Sequence, residues 1–400
     1  MENTMIGDRI RRKRLAAGMS LQSLVEALAG VDVRLSKAAL SNYETNKTVP
    51  NAKALWALAK VFSESMEYFI REDSALLSLK GYRKRAGLSA ARHDQIVATI
   101  QDEIEKRVQI ERILGLDQKS DTPTERTISD TGEAEQIAAE VREKWSLGDY
   151  PIASVCALLE ERGWYVVQSP SEEDFDGLSG FVEPQHRPFA VSRRGISVDR
   201  MRLNLLHEAG HAYIRSDDEK LTEKAAFRFA SALLLPANRV YEEVGRNRSS
   251  FSLNELVLLK KKYGLSIQAM AFRFRDLGVI TQSYFALFFT WINQQGFKVD
   301  EPGSDQLTFQ EEPTAFKSQV LRALSEGLIS EDEFVRLLPG QQLPADRTGF
   351  GSSVEIKRLL SLSKSEREKI LEAAANAAAE DYASSEINLS DSVDDITEYT

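Results

Sequence analysis

Residues 198–214 read as a helix whose apolar side chains, among them Leu203, Leu205, Leu206, Ala209, Ala212 and Ile214, lie almost all the way round. A helix of that kind is normally buried. It nevertheless carries His207, Glu208 and His211, and burying three such groups is costly unless a partner such as a metal ion satisfies them. At about 100° per residue the two histidines point within about 40° of each other, with Cβ atoms about 6 Å apart. Both imidazoles can therefore meet one Zn2+ at about 2.0–2.1 Å. Glu208 stands about 100° from His207 but only about 60° from His211, bordering the metal face without having to bind the ion. That is the place for a general base, which takes a proton from water whose pKa the metal lowers from about 15.7 to about 7 and passes it to the leaving amine. With four histidines in 400 residues, a chance His-Glu-x-x-His is on the order of a few in a thousand. Gly210 costs roughly 1 kcal/mol relative to alanine inside a helix, so it makes room for a close neighbour or a substrate.

A catalytic zinc takes three protein ligands and keeps one position open. The candidates for the third are Asp217, Asp218, Glu219 and Glu223. Glu223 is favoured, because with Thr222 as N-cap it starts a helix whose Ala225, Ala226, Phe229 and Ala230 can pack closely beside the motif helix. His93 and His186 read as surface histidines, on a helix and in a loop.

Around this helix the chain is too long for one ordinary core, which predicts two or three domains. Hydrophobic residues at 42% and charged ones at 28% exclude collagen-like and wholly disordered chains. No apolar run reaches the ~18 to 20 residues of a membrane span, and the N-terminus MENTMIGDRIRRKR lacks a secretion signal, so a cytoplasmic protein is expected. Cys156 stands alone, which excludes an internal disulfide or a thiolate metal cluster. The net charge of −10 is unevenly spread: residues 1–60 carry ten Lys and Arg against five acids, while 381–400 hold six acids and no base. A basic head of net +5 thus sits on an acidic body.

Five short helices are expected in residues 1–70, with Ser20 capping the second and Gly30 ending it. Residues 71–132 read as a helical connector with a stripe of Ile96, Ile100, Ile104 and Val108, either packed or dimerising, followed by a polar linker over 117–132. From 133 to 300 the pattern is mixed. A first helix presents Ile137, Val141 and Trp145, Pro151 opens a second that Gly163 ends, and short strands are expected at 164–168, 178–182 and 189–191. Helices are then expected at 223–235 and 252–277, an aromatic-rich segment at 283–296 and a helical pair at 314–338 within a helical region 301–380. Ser363 and Glu366 form a capping box, and 381–400 is an acidic tail.

The segment RLNLLHEAGHAYI followed by EKAAFRFASALLLP resembles the ImmA/IrrE family of metallopeptidases. The matching positions are Glu223, Ala226, Phe229, Ala230 and Pro236, and FDGLSGFVE, PFAVSR and Arg202 are also similar to the family's approach to its motif. The resemblance covers about residues 133–300 and implies an α+β zincin-like domain with a small sheet, a bound Zn2+ and Glu223 as third ligand. Phe227 stands where the family often has Asn.

The run Leu40-Ser41-Asn42-Tyr43-Glu44-Thr45-Asn46-Lys47, followed by Pro50, resembles the helix-turn-helix of the XRE (lambda-repressor-like) family. That resemblance implies a third helix in the major groove with Ser36, Lys37, Ala38, Ala39, Ser41 and Asn42 towards the bases, while Gln22 and Lys47 reach phosphates. The connector Gly30 to Leu35 is longer than the shortest turn of that family. The whole chain is thus expected to be mainly α and multidomain. Its expected role is that of a DNA-associated zinc endopeptidase, a homodimer on operator DNA that cleaves a repressor or regulator protein. The rival is a regulator, or an antitoxin-like protein, whose metal domain senses a ligand or holds a partner and cuts nothing.

Overall fold

The computed structural model describes residues 5–71, 76–84, 89–116, 120–169, 175–298, 300–343, 359 and 361–384. The chain divides after Val320 into two units.

The first unit begins with five helices, α1 (Met5–Ala16), α2 (Leu21–Ala29), α3 (Lys37–Glu44), α4 (Ala52–Phe62) and α5 (Met66–Ile70). Ser20, Ser36, Asn51 and Ser65 each accept a hydrogen bond from the backbone N–H three residues on, and so start the last four. Ile10, Leu24, Leu28, Leu40, Leu58 and Phe69 form the core between them.

The region 71–116 departs from the expected helical connector. Residues Leu76–Lys84 form a strand, β1, before helix α6 (Ala90–Ile113) begins. Nothing in the local pattern marks this strand, because its partner β4 (Phe175–Glu183) lies about a hundred residues downstream. With β3 (Tyr165–Ser169) and β5 (Arg187–Arg193) they make one sheet of order β1-β4-β5-β3. β3 and β5 are parallel, and β4 runs antiparallel to both of its neighbours, β5 and β1.

Alternation along the strands gives this sheet two apolar faces. The isoleucine stripe of α6 covers one, packing Ile96, Ile100 and Ile104 on Tyr165, Val167, Leu178, Val182, Phe189 and Val191. The stripe is therefore packed, as one of its two readings expects. Helix α9 (Val198–Tyr213) covers the other face, where Val166, Phe181 and Ala190 join the main core. That core extends through α7 (Glu133–Lys144), α8 (Val155–Glu161), α10 (Glu219–Leu234), α11 (Ala237–Val244), α12 (Leu253–Tyr263), α13 (Ile267–Asp276) and α14 (Gln282–Gln294).

Helix α6 also joins the head to this body. Arg12 meets Glu105 at 2.7 Å, Lys13 meets Asp102 at 2.6 Å, and Arg71 meets Glu105 at 3.1 Å. The segment expected as a polar linker is likewise tied in. Asp121 accepts from Trp145 Nε1 at 2.8 Å, and β2 (Arg126–Thr127) pairs with β6 (Ile214–Arg215).

Pro151 does not open the second helix of the body; α8 starts at Val155 behind Ser154. Its first N–H groups, on Val155 and Cys156, both donate to the carboxylate of Glu311 at 2.9 Å. A buried anion there complements the helix dipole.

Helix α15 (Ala315–Ser325) spans the division between the units. The second unit holds α16 (Glu331–Leu337), started by a capping box of Ser330 and Glu333, and α17 (Lys364–Ser384). Ser363 and Glu366 cap α17 reciprocally, as expected, through bonds of 3.4 and 3.1 Å. Of the expected acidic tail, residues 385–400 lie outside the described residues. Among the described residues no helix is long and apolar enough to cross a membrane.

Candidate functional site

Helix α9 is fixed at its N-terminal end by buried charges. Lys260 meets Asp199 at 2.9 Å and Glu301 at 3.0 Å, and the fully buried Arg202 pairs with Glu311 while donating to Ile152 O at 2.7 Å. These contacts leave the helix little freedom to shift along its axis. The motif residues follow within the next three turns, and all three are buried.

His207 Nε2 and His211 Nε2 lie 3.2 Å apart, which the four-residue spacing permits. Glu223 completes the group: its Oε2 is 3.4 Å from His207 Nε2 and its Oε1 3.3 Å from His211 Nε2. A tetrahedral ion bound at about 2.0–2.1 Å holds its ligand atoms about 3.3–3.4 Å apart; the histidine pair is close to that spacing, Glu223 brings one oxygen to each imidazole, and taking one ligand atom from each residue the three lie within 4.8 Å of one another. Hydrogen bonds from His207 and His211 hold the Glu223 carboxyl well below the usual carboxylate range. Of the four acidic candidates Glu223 is the one in this group; Asp217, Asp218 and Glu219 are outside it.

The local reason differs from the one expected. Thr222 does not cap the helix; Asp218 does, accepting from Lys220 N at 2.9 Å. A carboxylate four residues earlier starts α10 one turn sooner, so Glu223 lies inside the helix. Its depth opposite α9 depends on Gly210, where a Cβ would come within 3.2 Å of the Ala226 Cα and of Phe229. The close neighbour expected of Gly210 is therefore α10.

Glu208 is 1% exposed and points to the sheet, where Ser179 Oγ donates to its Oε2 at 3.0 Å. Gly177, two residues earlier on β4, gives the carboxylate its space, because a Cβ there would stand 2.2 Å from Oε1. The sequence pattern marks neither Gly177 nor Ser179 individually; only their segment, FDGLSGFVE, marks the approach to the motif. Phe227, where the family often has Asn, lays its ring on that of His207 with centroids 4.1 Å apart. It gives the metal group an apolar wall. His186 lies exposed in a turn, bonded to Glu183 at 3.0 Å, and His93 lies on α6 beside Asp94 at 3.1 Å. Neither histidine belongs to the metal group.

Residues 160–275, which span strands β3, β4 and β5, the motif helix and Glu223, match the IrrE N-terminal-like domain. Residues 10–69 match the helix-turn-helix family. The chain is a helix-turn-helix head fused to an IrrE-like domain. A comparison with curated proteins gives no match. Strand β1 lies between the two matched segments and belongs to neither.

In the helix-turn-helix head, Gln22, Ser36, Lys37, Ala38 and Lys47 are exposed, and Ala39, Ser41 and Asn42 are half-buried. Two of these groups are already engaged. Gln22 donates to Glu26 at 3.0 Å, and the Ser36 hydroxyl caps α3 through Ala39 N at 3.1 Å. The positive charge of the head is not all available to a phosphate backbone. Arg9, Arg12 and Lys13 are buried, and Arg14 pairs with Glu44 at 2.6 Å. The exposed bases are Arg11, Arg34, Lys37, Lys47, Lys53 and Lys60.

Proposed function

We propose that this chain is a cytoplasmic, DNA-associated, zinc-dependent endopeptidase that regulates transcription by cleaving a repressor or regulator protein in response to stress or a signal. The observation that carries this reading is the group His207, His211 and Glu223, in which the imidazole Nε2 atoms are 3.2 Å apart and Glu223 brings one oxygen to each of them, with Glu208 beside it. His207, His211 and Glu223 would hold the ion, and a bound Zn2+ supplies Lewis acidity towards a scissile carbonyl and towards the attacking water. Glu208 is the general base. Ser179 orients its carboxylate, which takes the proton of the attacking water and returns it to the amide nitrogen as the C–N bond breaks. Phe227 screens the His207 imidazole from solvent.

The head would bring this activity to an operator or to a repressor bound there, as a homodimer on paired half-sites. Ser36, Lys37, Ala38, Ala39, Ser41 and Asn42 are the residues for the bases, and Gln22 and Lys47 those for phosphates. Co-expression with each protein encoded beside it tests the reading, comparing wild type with Glu208→Gln by intact mass. Cleavage in the wild type alone is expected, with equal zinc content in both. Cleavage by Glu208→Gln, or regulation in cells that survives this change but not His207→Ala, would make the chain a non-proteolytic regulator.

A further inference from the structure

The edge of β4 beside Glu208 is paired with an earlier segment of the chain, β1. A scissile bond within reach of Glu208 has to run past Gly177 and Ser179, the β4 residues that touch its carboxylate. Extended peptides bind proteins by adding a strand to a sheet edge, where the backbone supplies the hydrogen bonds. On one side β4 is paired with β5 over Gly177 to Val182. On the other, the same residues face β1: Arg83 stands opposite Gly177, Tyr82 opposite Leu178 and Gly81 opposite Ser179, running antiparallel. The fit is close, since a Cβ at Gly180 would stand 2.1 Å from Ser78 O. β1 also lies against the motif helix α9.

We propose that the β1-facing edge of β4 is the binding site for an extended substrate segment, and that β1 fills it as an internal pseudosubstrate which must leave before cleavage. This rests on the peptidase reading above. The arrangement also supplies a route for control, because β1 follows the head directly in the chain, so a displacement of the head can be passed on to it.

The test uses the full chain carrying Glu208→Gln, so that binding is read without cleavage, and a labelled peptide of residues 76–84, LLSLKGYRK, as probe. Ser78→Pro and Leu79→Pro are made separately. Alternate residues of an antiparallel strand face the same partner, so one of the two removes an N–H directed at β4. At least one variant should bind the peptide tenfold or more tighter than the parent by fluorescence anisotropy, with its far-UV circular dichroism unchanged. A second chain, Leu76→Cys with Glu183→Cys, joins a facing pair of β1 and β4. Oxidised, it should neither bind the peptide nor, with Glu208 restored, cleave the partner found by co-expression; reduction should restore both. Folded proline variants that bind no tighter, or an oxidised form that binds or cleaves as well as the reduced one, overturn the proposal and leave the peptidase reading standing. Peptide binding as expected, with no neighbour cleaved by the tighter-binding proline variant once Glu208 is restored, supports the peptide edge and overturns the peptidase reading alone.

Discussion

A Cβ on Gly177 would stand 2.2 Å from Oε1 of Glu208, so strand β4 and helix α9 meet at a point with no room for a side chain. Gly177→Ala has to push the carboxylate aside. Misplacement by about 1 Å costs on the order of 100-fold in rate. We expect Gly177→Ala to lose at least that much of the cleavage seen in co-expression while zinc content, measured by metal analysis, stays at the wild-type level.

The head is held to α6 by a buried ion pair, Arg12 with Glu105, whose side chains are 8% and 3% exposed. Glu105→Ala leaves Arg12 and Arg71 without this carboxylate. Removing one partner of a buried pair costs about 3–5 kcal/mol. Urea denaturation should show that loss, whereas Glu326→Ala, which breaks the exposed pair with Arg322, should change stability by less than about 1 kcal/mol.

Asp102 makes this docking sensitive to acid. Burial pushes its carboxyl up, but Lys13 and Lys106 outweigh burial and hold it below its ordinary value of 3.8. A carboxylate whose folded pKa is depressed stabilises the fold above the unfolded pKa and loses that contribution as pH falls through the folded one. Asp102→Asn should therefore melt below wild type at pH 7. The difference in melting temperature should shrink as pH drops below 3.8.

DNA binding should separate the two sets of bases in the head. Lys37 and Lys47 are exposed, whereas Lys13 is buried against Asp102 and Glu64. On a random-sequence duplex, Lys47→Ala should lower the slope of log K against log salt by about 1. Lys13→Gln should leave the slope unchanged. Titrations over a series of salt concentrations check both.

Much of the site can be read from local spacing. His207, Glu208 and His211 need only helical periodicity, and Glu223 follows from the helix beginning a few residues after the motif helix ends. Gly177, Ser179 and Glu311 could not be found that way. Glu311 caps a helix 156 residues before it in sequence. Gly177 acts by what it lacks, so its role appears only when α9 is laid against β4.

The sequence by itself determined the five-helix head, the capped helices and the His-Glu-x-x-His face, because each depends on residues within one or two turns of each other. Long-range packing is what makes residues 76–84 complete the sheet beside Glu208 and turns Arg9, Arg12 and Lys13 inward. A strand's partner and a charge's burial are set by contacts between distant segments. Strand pairing adds its hydrogen bonds only after the loop between the strands is closed. A guanidinium is basic surface or buried ion-pair partner according to what packs over it, and here α6 packs over the head.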